Sequence, residues 1–95
     1  KSYATKYLVM YALENGLDKN RLGISVSKKV GNSVVRHRVT RLIRESYRLH
    51  EELYHSGFDI VIVARVSAKD AGYKEIESAL LHVSKFHRNM VVHSG

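Results

Sequence analysis

From Ser33 to Leu53 the apolar residues Val35, Val39, Leu42, Ile43, Leu49 and Leu53 fall along one side of a helix at about 100° per residue. His37, Thr40, Arg41, Arg44 and Arg48 fall within about 100° of one another on the opposite side, and Arg36 and Arg38 flank that stripe. The spacing predicts an amphipathic helix, and any fold that accepts it must cover the aliphatic side and leave the arginine side in water. Asn32 and Ser33, which end the loop Lys28-Lys29-Val30-Gly31, are both good N-caps for it.

Three strands are expected around this helix. Residues 7–13, YLVMYAL, are apolar on both alternating sides, with Tyr7, Val9, Tyr11 and Leu13 opposite Leu8, Met10 and Ala12, the pattern of a strand covered on both faces. A turn-rich stretch, 14–20, leads to the alternating run Leu22–Val26, and the two runs are expected to form an antiparallel hairpin. Residues 58–65, FDIVIVAR, read as a buried strand. Ile76, Ala79, Leu80, Val83 and Phe86 then repeat at helical spacing, which predicts a second helix from Tyr73 to about Arg88. The order is strand, strand, helix, strand, helix, an α+β arrangement. No repeat, linker or proline divides residues 1–95, which are expected to form a single domain.

Charge narrows the function. Between Lys28 and Arg48 there are seven basic residues and one acid, Glu45, so this window holds +6 of the formal +7. An ordinary solvated helix face mixes signs so that acids and bases four apart support each other. Here unrelieved repulsion along the helix points to a polyanion, and guanidinium forks suit phosphate oxygens. A lipid surface is disfavoured, because the aliphatic side is needed for the core and carries no Trp or Phe. No apolar run approaches the ~20 residues of a membrane span. With no Cys there is neither a disulfide nor a thiolate metal site, and the chain is compatible with a reducing compartment. Catalytic residues are not evident: the acids are scattered, and the pairs His50/His55 and His82/His87 are five apart rather than at chelating i, i+4 spacing, so they read as surface histidines. His37, among the arginines, fits either an RNA contact or plain exposure. Composition does not separate DNA from RNA. Tyr7 and Tyr11 fit both base stacking on a sheet face and ordinary sheet packing.

Residues 21–45 resemble the protein component of bacterial ribonuclease P. The family signature is a strand ending in SKK, a G-N-A-V turn and a helix opening R-N-R-x-K-R-x-x-R-E; here Ser27-Lys28-Lys29, Gly31-Asn32-Ser33-Val34 and Arg36-His37-Arg38-Val39-Thr40-Arg41-Leu42-Ile43-Arg44-Glu45 follow in order. His37 replaces the family Asn and still donates and accepts hydrogen bonds. Thr40 replaces the family Lys and removes one charge. The similarity continues through Asp59–Arg65 and Ala79–Lys85.

The resemblance implies a ribonucleoprotein in which the RNA subunit, with Mg²⁺, hydrolyses a phosphodiester to release the 5′ leader of precursor tRNA. Its partners would be the catalytic RNA and precursor tRNA, in the bacterial cytoplasm, with no membrane and no obligate protein partner. Lys28, Lys29, Arg36, His37, Arg38, Thr40, Arg41, Arg44 and Arg48 would form the RNA-binding set. Val9 and Tyr11, with Tyr7 beside them, would line the leader cleft, and no protein residue would be catalytic. The implied fold is a two-layer α-β sandwich like the second domain of ribosomal protein S5, with a left-handed βαβ crossover, whereas the general rule for such links is right-handed. The family's first helix, whose aromatics complete the leader cleft, is absent from these 95 residues. A generic RNA-binding or ribosome-associated domain of the same fold is the alternative, and a free-standing nuclease a third reading.

Overall fold

The computed structural model describes residues 2–94, with side chains described through Arg88. One four-stranded sheet carries two helices on one face. Its strands are β1 (Ser2–Ala4), β2 (Leu8–Glu14), β3 (Arg21–Ser25) and β4 (Phe58–Ala64); the helices are α1 (Ser33–Leu49) and α2 (Tyr73–Ser94). Short 3₁₀ turns, Glu51–Leu53 and Val66–Asp70, follow α1 and β4.

The sheet order is β1-β2-β4-β3, so the expected β2–β3 hairpin is not formed. β4 lies between the two, antiparallel to β2 (Tyr11 opposite Val61) and parallel to β3 (Gly23 opposite Val61). The reason lies in burial: β4 brings Ile60 and Ile62, both fully buried, to the centre of the sheet, whereas β3 offers the half-buried Leu22 and Ile24 and a glycine, which suit an edge. A β3-α1-β4 crossover between parallel neighbours follows. The hairpin that does form is β1–β2, closed by the turn Thr5-Lys6-Tyr7-Leu8, where Thr5 N–H donates to Leu8 O at 2.8 Å and the Thr5 hydroxyl accepts from Leu8 N–H at 3.1 Å. Three residues were too few for periodicity to reveal β1.

Leu8, Met10, Ile60 and Ile62 from the sheet meet Val39, Ile43, Ile76, Leu80 and Val83 from the helices, all essentially without exposure. Asn32 caps α1, its Oδ1 accepting from Val35 N–H at 3.0 Å, a cap contributing about 1 kcal/mol. Gly31 packs against Val35 so closely that a Cβ there would lie 2.8 Å from it. The buried side of α1 departs from expectation at its end: Ser46 and Tyr47 are buried, while Leu49 is 63% exposed and Leu53 belongs to the following 3₁₀ turn. From Val39 the i, i+4, i+7, i+8 positions are Ile43, Ser46 and Tyr47, so the true period ran through a Ser and a Tyr that hydropathy alone discounts. In α2 the same happens: Phe86 is 45% exposed and His87 takes the core position.

His87 is therefore no surface histidine. It is 1% exposed, edge-on to Phe58 at 4.8 Å between ring centroids and near Tyr54 and His55. Burial, with the nearby His55, holds its pKa below the ordinary 6.5. Its neutral form is the folded form, so the stabilisation is complete above about pH 6.5 and declines as pH falls toward the depressed folded value, where the unfolded chain binds more protons. Melting temperature should drop between about pH 7 and pH 5, and His87→Leu should flatten that pH slope whatever it does to the melting temperature itself.

Candidate nucleic-acid interface

Two surfaces draw together most of the functional candidates. The first is the outer side of α1. His37, Arg41, Arg44 and Arg48 are all exposed, and Lys28 and Lys29 are exposed in the turn that Val30 N–H closes onto Ser27 O at 3.0 Å, just before the cap. Among the described residues, the only carboxylate within 4.0 Å of this set is Glu45, 3.9 Å from Arg41 Nε, with both side chains more than half exposed. A solvent-exposed pair at that distance leaves Arg41 free to exchange partners. The ridge is cationic and unneutralised, as the sequence predicts.

Three members of the predicted set differ. Arg38 reaches the 3₁₀ turn after β4, donating to Lys69 O at 2.8 Å and to Ala71 O at 3.1 Å. Arg36 is half-buried, with its Nε shielded from solvent and without a partner among the described residues. The Thr40 hydroxyl donates to Arg36 O at 2.8 Å, back-bonding along the helix. Arg38 thus ties α1 to the segment leading into α2, a use that charge counting could not show. Arg38→Ala should cost about 1.5–3 kcal/mol in urea denaturation, because charge-assisted bonds to carbonyls are lost.

The second surface is the uncovered face of the sheet. Leu8, Met10 and Ala12 turn inward, and Val9, Tyr11 and Leu13 turn outward, Tyr11 46% and Leu13 66% exposed, so the expected two-sided burial of this strand is corrected. Register places Tyr11 between Ser2 and Val61, with Gly23 beyond, and Val9 between Ala4 and Val63, with Ser25 beyond. Tyr11 is thus an exposed aromatic ring among small and β-branched neighbours. Arg21 and Asp59, paired in register, close one end through two bonds of 2.7 and 2.8 Å; this bond, then one from Asn15, holds the Asp59 carboxyl below its ordinary value. Tyr7 does not join this face. It sits in the β1–β2 turn, half-buried, and lines a groove beside α2.

The family model described as Ribonuclease P matches residues 1–87. The chain belongs to the ribonuclease P protein family. It is 66% identical over 88 residues to the ribonuclease P protein component of Lachnoclostridium phytofermentans, covering 93% of this chain and 76% of that one. It is 54% identical over 86 residues to the component from Clostridioides difficile, covering 90% and 75%. The fold superposes on the ribonuclease P protein of Staphylococcus aureus with a TM-score of 0.82 at 41% identity, over 90% of this chain and 79% of that one. For the Thermotoga maritima ribonuclease P protein the values are 0.82, 31%, 90% and 81%. The likeness covers sheet and helices alike, and it selects a ribonuclease P protein component over a generic RNA-binding domain of the same fold. As a member of the ribonuclease P holoenzyme, the protein has the ribonuclease P RNA as its partner. Among the described residues no helix is long and apolar enough to cross a membrane.

Proposed function

We propose that this ribonuclease P protein docks its α1 ridge on the backbone of the catalytic RNA and offers the open sheet face to the 5′ leader of precursor tRNA, while the RNA subunit carries out the hydrolysis. The observation that carries the reading is the unneutralised ridge: among the described residues, His37, Arg41, Arg44 and Arg48, with Lys28 and Lys29, meet only one distant carboxylate. Phosphates arriving there displace counterions and relieve repulsion between the arginines, which gives affinity without base specificity. His37 can add a hydrogen bond to phosphate or ribose, and the half-buried Arg36 lies on one flank of the set.

Val9 and Tyr11 on the open face suit an unpaired strand, since aromatic stacking accepts any base. Tyr7 is withdrawn from this role by its position. Mg²⁺ would supply the nucleophile and charge stabilisation within the RNA. Among the described residues no three His, Asp or Glu side chains gather where they could hold a metal, and nothing the protein does in this reading runs through the ion. The expected compartment is the bacterial cytoplasm, and residues 1–95 act as one RNA-binding domain. The test is precursor tRNA cleavage at low Mg²⁺. Protein alone should be inert, and addition to a bacterial ribonuclease P RNA should accelerate cleavage; cleavage by protein alone, or no response of the RNA, contradicts the proposal.

A further inference from the structure

A second basic surface lies away from both faces just described. Along α2, Lys74, Ser78, Leu81, His82 and Lys85 are spaced i, i+4, i+7, i+8, i+11 and so share one side of the helix. Opposite them the β1–β2 turn contributes Lys6 and Tyr7, and the two walls flank an open groove of about 700 Å³. Tyr7 and the buried Ala79 give it an apolar lining, and Leu81 is 37% exposed at its side. Lys6, Lys74 and Lys85 are exposed, and among the described residues none has a carboxylate within the 4.0 Å of an ion pair. The Lys6 ammonium instead rests 5.4 Å from the Tyr7 ring centroid. Glu75, the one acid of the lining, is turned back to accept from Gly72 N–H at 2.7 Å, which ties it to the start of α2.

We infer that this groove binds a short single-stranded RNA segment, its bases against Tyr7 and Leu81 and its phosphates at Lys6, Lys74 and Lys85. The lysines at the two ends of the α2 wall are roughly 16 Å apart by helical rise, too far to share one phosphate and suited to phosphates about two to three nucleotides apart along a strand. An apolar floor between separated cations is the arrangement that takes a strand with unstacked bases, whereas a duplex presents only its backbone. The inference rests on the RNA partnership of the family and adds a contact surface to it, separate from the α1 ridge.

The probe is an oligouridylate of about 8 nucleotides, within the range of single-strand site sizes, titrated by fluorescence anisotropy. Lys74→Glu/Lys85→Glu should weaken it by about tenfold or more and lower the salt slope by roughly one to two, since both cations contact phosphate. Tyr7→Ala should weaken it about fivefold or more with the salt slope kept, because only stacking is lost. The Gln versions of the two lysine changes guard against charge-reversal artefacts, and a melt confirms the fold. If the lysine variants bind like the unchanged protein while Arg41→Ala/Arg44→Ala loses the oligonucleotide, the strand sits on the ridge and the inference is overturned with the holoenzyme reading intact. Unchanged binding in all variants overturns it too, as does loss of anionic-vesicle binding in the lysine variants without loss of RNA. Failure of the holoenzyme reading would show separately, as precursor cleavage indifferent to the protein.

Discussion

Replacing Arg41, Arg44 and Arg48 together by Ala should weaken binding to ribonuclease P RNA by roughly 10- to 100-fold at moderate salt and lower the logarithmic salt slope by about three, one per phosphate contact. The same protein should melt within a few degrees of the original. The three side chains are exposed and none is hydrogen-bonded within the described structure; the single ion pair lost, Arg41 to Glu45 at 3.9 Å, is of a kind contributing about 0.3–0.5 kcal/mol. Alanine is also the better helix former, so α1 keeps its propensity. Anisotropy across a salt series gives the slope, and calorimetry gives the melting temperature. A large loss of melting temperature would mean that these arginines hold the fold together.

Ile43→Ala should do the reverse. Ile43 has no exposure and is packed in the core cluster with Val39, Tyr47 and the sheet residues Ile60 and Ile62. Truncation removes buried methyl groups and leaves a cavity, costing about 2–5 kcal/mol. For a domain of this size each kcal/mol shifts the melting temperature by roughly 4–8 °C, so a fall of about 8 °C or more is expected. At a temperature where the variant remains folded, RNA affinity and its salt slope should stay near the original values, because every phosphate-binding side chain is present. The pair of variants separates the two sides of one helix: the outer side binds, and the inner side holds.

Local pattern made some of this visible in advance and hid the rest for physical reasons. The Asn32 cap, the α1 ridge and the buried character of the Phe58–Ala64 strand follow from spacing and side-chain chemistry within a few residues, whereas which side of Leu8–Glu14 turns inward does not. Strand partners do not. Whether β3 pairs with β2 or β4 depends on which apolar rows fill the centre, a competition decided by residues 38 positions apart, as Leu22 and Ile60 are. Arg38 reads from spacing as a surface charge, but the carbonyls of Lys69 and Ala71, supplied by a distant turn, hold it. His87 carries no apolar signal, yet it fills the core position that Phe86 was expected to hold. Tyr7 alternates with Val9 in sequence, but a turn rather than a strand sets its direction, and only the structure shows it leaving the open face for the groove beside α2.

Directed cleavage of the RNA from a probe on the ridge tests the central claim most directly. The chain has no cysteine, so Val34→Cys, at a position 76% exposed and one helical turn from His37 and Arg38, gives a single attachment point for an iron chelate that releases hydroxyl radicals. The predicted result is cutting of the ribonuclease P RNA at a few discrete backbone positions, abolished when Arg41, Arg44 and Arg48 are replaced. Absence of such cuts in a holoenzyme that still processes precursor tRNA would contradict it, because the ridge would then face away from the RNA.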